Sequence, residues 1–166
     1  MQHEDFMRLA IAEAKKAEAL GEVPIGAIVV KDGQVIGRGY NLREQSNDAT
    51  SHAEMQAIRE ANAYLDNWRL MDCDMYVTLE PCPMCSGAII LSRIRHLYFG
   101  AYDPKGGTVG SLMNLVTDER FNHQVEVTSG LLGRACSEML TSFFRELRKQ
   151  RKRASRKPRK EENNLH

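Results

Sequence analysis

Met75-Tyr76-Val77-Thr78-Leu79-Glu80-Pro81-Cys82-Pro83-Met84-Cys85-Ser86-Gly87-Ala88-Ile89-Ile90-Leu91 decides the architecture of this chain. Residues 75–78 have the β-branched and aromatic character of a short central strand, and residues 86–91 form an apolar run that suits a buried helix. Between them, Pro81 precedes a Cys-x-x-Cys pair, whose two sulfurs fall on one side of a first helical turn, where i and i+3 are neighbours. Unpaired N–H groups and the positive dipole end at a helix start favour thiolate over thiol. Cys82 and Cys85 therefore read as metal ligands.

Working upstream, His52-Ala53-Glu54 opens a second predicted helix, from about His52 to Ala63. His52 adds an imidazole to the two thiolates, making a set of three. Structural zinc sites usually have four protein ligands, whereas catalytic ones leave a position for water. Glu54, two residues past His52, need not face the metal and is free to take a proton and hand it on. A lone Cys-x-x-Cys also serves as a redox pair or as half of a structural site. Cys73 and Cys136 are scattered and complete no second pair, so they read as small buried hydrophobes. His96 and His123 are the other candidates for a fourth ligand, and each reads as a surface or loop histidine.

Further elements follow from periodicity. Phe6, Leu9, Ala10, Ala14, Ala17 and Leu20 predict a helix over 5–20 that stops at Gly21. Residues 25–30 and 34–40 read as strands joined by Asp32-Gly33, a strong hairpin signal. Strands are also expected at 96–99 and near 125–127, with a Gly-rich loop over 101–111. The last helix carries Cys136, Met139, Leu140, Phe143, Phe144 and Leu147 on one stripe. The pattern predicts an α/β fold: a three-layer α/β/α domain with a central mixed five-stranded sheet. It also puts both metal motifs at helix starts beside strand ends, where α/β folds gather ligands.

A length of 166 residues fits a single domain with a substantial core. No apolar run is long enough for a membrane span, and no secretory leader is visible. Reduced thiols suit the cytosol, so a cytoplasmic location is expected. The net charge of +1 hides an asymmetry: residues 145–160 hold ten Lys/Arg against Glu146 alone, leaving residues 1–144 acidic with thirteen basic groups against nineteen acids. The expected organisation is a domain over 1–150 and a basic, flexible tail over 151–166. Such a tail often meets a polyanion.

From about residue 5 to residue 150 the chain resembles the bacterial tRNA-specific adenosine deaminases of the cytidine deaminase-like superfamily. The resemblance is carried by Gly21–Ala27, Asn41, His52-Ala53-Glu54, Tyr76–Cys85, Phe99-Gly100-Ala101, Gly110–Asn114, Asn122-His123 and Phe143-Phe144. The metal motif is the signature of zinc nucleobase deaminases in general; the later segments narrow the resemblance to the tRNA enzymes. The resemblance implies one Zn²⁺ per subunit on His52, Cys82 and Cys85, with Glu54 as proton shuttle. It implies hydrolytic conversion of adenosine to inosine at the wobble position of a tRNA anticodon. It further implies substrate contacts from Asn41, Asp103, Lys105, Asn122, Phe144 and Arg148, with the anticodon stem-loop as partner, and a homodimer. A zinc deaminase of a free base or nucleotide, of the guanine or cytosine type, and a non-enzymatic zinc-stabilised RNA-binding module remain as alternatives. The second needs a fourth protein ligand.

Overall fold

Asp32 and Gly33 both hold positive φ, 49° and 75°, and this two-residue turn sends strand β1 (Gly26–Lys31) straight back as β2 (Gln34–Tyr40). The computed structural model describes residues 1–156. Before the hairpin comes α1 (His3–Ala19); after it come α2 (Ala53–Leu65), β3 (Cys73–Leu79), α3 (Pro83–Leu91), β4 (His96–Ala101), β5 (Glu126–Ser129) and α4 (Gly133–Arg156). The strands form one mixed sheet in the order β2-β1-β3-β4-β5. β1 pairs antiparallel with both β2 and β3, whereas β3–β4 and β4–β5 are parallel.

The inner strands are mostly apolar on both sides because both of their faces are covered. On one face Ala27, Val29, Met75, Val77, Leu97 and Phe99 pack under α2 and α3. On the other, Ile28, Val30, Tyr76 and Tyr98 pack under α1 and Cys136 of α4. This is the expected three-layer α/β/α arrangement. Cys73 and Cys136 are fully buried, as read from the sequence.

The seating of α2 depends on missing side chains. A Cβ on Gly37 would run into the Ala57 carbonyl, and one on Gly39 into the Ala53 carbonyl. Glycine on β2 and alanine on α2 thus let helix and strand touch backbone to backbone. Gly39→Ala is expected to push the start of α2 outward and to cost about 1–3 kcal/mol, the usual range for overpacking. Chemical denaturation would measure it, and an unchanged midpoint would show that α2 shifts freely.

The apolar stripe of the last helix is mostly not core. Of its apolar stripe only Cys136 is buried; Met139, Leu140, Phe143 and Leu147 are not, and Phe144 is 41% exposed. The physical reason is geometric: α4 packs on β4 and the end of β3 and then runs past the sheet. It continues to Arg156, so residues 151–156, expected in the tail, are helical; residues 157–166 of that tail lie outside the described residues. No helix among the described residues is long and apolar enough to cross a membrane.

Candidate metal centre and substrate cleft

His52 is the residue that caps the start of α2, and Cys82 plays the same part for α3, with Pro83 fixing the first turn and Cys85 following in it. The two helix starts meet: His52 Nδ1 lies 3.6 Å from Cys82 Sγ and 3.5 Å from Cys85 Sγ. All three donor atoms lie within 4.8 Å of one another. Nitrogen and sulfur ligands about 2.1 and 2.3 Å from a tetrahedral zinc stand about 3.6 Å apart. The donor set and its spacing therefore fit zinc. No fourth histidine, cysteine or carboxylate joins the group among the described residues. His96 bonds the Thr128 hydroxyl and faces Glu126, and His123 meets the Ile94 carbonyl.

The electrostatics suit a cation. Hydrogen bonds from Cys85, and then from His52, hold the Cys82 thiol down to about 4, so it is a thiolate. Cys85 is pushed far up, by its bond to Cys82 and then by burial, and keeps its proton. The bond to Cys82 also raises His52. Glu54, in the first turn of α2, is 3% exposed, and its Oε1 has no hydrogen-bond partner. Burial raises its pKa, so this carboxyl group accepts a proton more readily than an ordinary glutamate. A buried, unpaired carboxylate oxygen is costly to keep, which makes Glu54 a candidate functional group.

These residues floor a cleft of about 800 Å³. Of the residues singled out in the sequence, Asn41, Asp103, Lys105, Phe144 and Arg148 line it together with His52, Glu54 and Cys82. Cys85 lies beneath, fully buried. Asn122 is exposed and is not among the residues lining the cleft. Asn41 is 5% exposed; its amide donates to the Val23 carbonyl and accepts from the Arg43 N–H, so it also closes a turn. Asp103 Oδ1 accepts from the N–H groups of Lys105 and Gly106, the turn expected of Asp-Pro.

Several residues of the cleft have no site role in the sequence reading: Arg43, Glu80, Tyr102 and the α4 residues Ser137, Leu140 and Thr141. The same holds for Glu22, which is 1% exposed and accepts from the Gln45 N–H at 2.7 Å, pinning the loop after Asn41. Only Glu80 offers a hint: an acid just after the apolar half of a central strand, directly before the Pro-Cys turn, has to find buried donors. For the α4 residues, helical spacing alone does not separate a cleft wall from a core face.

A family model for MafB19-like deaminases matches residues 1–148, and with it the fold and the three-ligand site define a deaminase. Among curated relatives, the tRNA-specific adenosine deaminase of Bacillus subtilis is 58% identical over 92% of this chain and 95% of its own length. That of Haemophilus influenzae is 48% identical over 90% and 87%. The chain belongs to the family of tRNA-specific adenosine deaminases. A solved structure from a study of A-to-I editing by tRNA:A34 deaminases superposes with a TM-score of 0.79 at 48% identity, covering 82% of this chain and 99% of that one. The guanine deaminase of Nitrosomonas europaea shares the fold, with a TM-score of 0.74 at 26% identity over 86% of this chain and 84% of its own.

Proposed function

We propose that this chain hydrolyses adenosine to inosine at the wobble position of a tRNA anticodon. The observation that carries the reading is a buried carboxylate with a free oxygen beside a three-ligand metal group, on the floor of a cleft open enough for an extruded nucleotide. The identity to tRNA-specific adenosine deaminases selects the base.

His52, Cys82 and Cys85 would hold one zinc per subunit. The metal, when bound, supplies a Lewis acid that brings the pKa of water from about 16 to about 7. Glu54 takes a proton from the attacking water, delivers it to N1 of the adenine ring, and later protonates the departing amine. Water and adenosine then give inosine and ammonia. Burial suits Glu54 to this work, because a raised pKa makes it a better proton acceptor than an ordinary glutamate. Asn41 holds the sugar or base edge, Asp103 and Lys105 line the nucleotide channel, and Asn122 meets a flanking nucleotide from outside the cleft. Phe144 stacks on a flanking base and Arg148 meets a phosphate. A loop base suits the site because it is cheaper to extrude than a paired one. The enzyme is placed in the cytoplasm, where tRNA and reduced thiols coexist.

The RNA partner is also supported by α4. Arg145, Arg148, Lys149, Lys152 and Arg156 recur at three- and four-residue spacing on one helix face, all exposed. The stripe is about 16 Å long at 1.5 Å per residue. It starts at the cleft wall, where Arg148 stands, and leads away from it. Replacing Lys149, Lys152 and Arg156 with glutamate is expected to raise KM for an anticodon stem-loop about tenfold. Its salt dependence should flatten by about 0.7–0.9 in log–log slope for each phosphate no longer neutralised. An unaltered slope would remove α4 from the interface. A homodimer is proposed as well, supported by Tyr64, Trp68, Met71 and Leu91, all at least half exposed around the far ends of α2 and α3.

Incubation of the zinc-loaded protein with a stem-loop carrying a wobble adenosine, followed by sequencing for A-to-G readout, tests the function. Free guanine and cytosine belong in the same assay. Deamination of the free bases without the loop would overturn the reading.

A further inference from the structure

We infer that Glu80 is a positioning residue for the substrate: it fixes the loop over residues 103–111 against the metal-ligand turn and so sets how tightly the RNA is held. The inference rests on the deaminase reading above. Glu80 follows the last residue of β3, and its N–H still bonds across to the Ala101 carbonyl. Its side chain then leaves the sheet and meets the loop. Oε1 accepts from the Asp103 N–H at 3.0 Å, Oε2 from the N–H groups of Val109 and Ser111 at 2.9 and 3.0 Å, and the Ser111 hydroxyl donates to Oε1. One carboxylate, 2% exposed, thus collects four donors from a single loop. Charge-assisted bonds of this number offset the cost of burying a carboxylate and make a loop rigid.

The clamp has a second jaw. Thr108, fully buried, donates its N–H and its hydroxyl to the Pro81 carbonyl at 2.9 and 3.2 Å, and its hydroxyl meets Ser86 Oγ at 2.7 Å. Pro81 and Ser86 flank the segment that holds Cys82 and Cys85. Gly107 completes the fit, because a Cβ there would collide with the Glu80 carboxyl group. The cleft-lining residues Asp103 and Lys105 therefore move with the Cys82 turn as one body. Glu54 and His52 stand at the start of α2, outside this clamp, and Thr108 still ties the Cys82 turn when the Glu80 bonds are weakened, so loosening the loop alters binding and leaves the reacting groups in place.

The test is Glu80→Gln, which turns an amide N–H toward donors, with Ser111→Ala as a milder variant that removes only the hydroxyl's bond. Expected for Glu80→Gln are one zinc per chain, faster hydrogen exchange at the Val109 and Ser111 amides, and a KM for the stem-loop raised about tenfold with kcat within about threefold. Ser111→Ala should shift exchange and KM in the same direction by less. A fall in kcat at unchanged KM, loss of zinc in Ser111→Ala, or unchanged amide exchange overturns the inference. Should the unaltered protein leave the stem-loop untouched, the functional reading fails, and amide exchange still decides whether Glu80 holds the loop.

Discussion

Glu54→Ala is expected to lose turnover by about 10²–10⁴-fold, the range for a positioned acid–base group, while keeping one zinc per chain. Glu54 is not a member of the ligand group formed by His52, Cys82 and Cys85, so metal content and catalysis should separate. Metal analysis beside single-turnover rates on a wobble-adenosine loop checks both halves. Activity that survives the substitution would remove Glu54 from the mechanism. A gain in stability should accompany the loss of activity. Burial raises the carboxyl above its ordinary value of 4.5. Between that value and the raised one the folded state binds the proton more readily than the unfolded chain does. In metal-stripped protein, stability therefore falls as pH rises through this window. Glu54→Gln removes the slope and should melt higher than the unaltered protein at pH 8. Equal melting points would mean that the orphan oxygen of Glu54 costs nothing.

Stripping the zinc, or replacing Cys82 with alanine, is expected to abolish activity and to lower thermal stability together. The ligand group joins the starts of α2 and α3, so a bound ion stabilises the folded chain by its own binding free energy, about 4 kcal/mol at a thousandfold excess over the dissociation constant. The protonation states make a further prediction. Cys82 is already a thiolate near neutrality, but Cys85 holds its proton and His52 is raised, so uptake of zinc must release at least one proton. Apparent affinity should then climb about tenfold per pH unit around pH 7. Calorimetry in buffers of different ionisation enthalpy counts the protons; a count of zero would show that Cys85 does not ligate.

The metal group is legible in the sequence because its chemistry is local. Cys-x-x-Cys needs only one helical turn to converge, and His-x-Glu separates a proposed ligand from a proposed shuttle within another. The hairpin is equally legible, since Asp32-Gly33 adopts the two positive φ values that its residue types favour. The walls of the cleft are not. Glu80 acts on residues 23–31 positions downstream, and no spacing rule links them. Asn122 is singled out by resemblance, yet it is exposed and does not line the cleft. The stripe on α4 is legible as a stripe but not by its partner, because helical periodicity reports which residues share a side and not what covers that side. Gly37 and Gly39 carry no warning either: the closeness of α2 is a property of two segments packed together.

Trp68 is the sole tryptophan, 55% exposed, with the Arg69 guanidinium 4.2 Å from its ring centre and Arg93 at 6.0 Å. It stands near Met71 in sequence, among the apolar residues of the proposed subunit face and away from the metal group at the opposite ends of the same helices. The chain thereby carries an optical reporter for the proposed self-association. Indole emission shifts toward the red when the ring is wetted, so serial dilution of the unlabelled protein should move the emission maximum through a single concentration-dependent step.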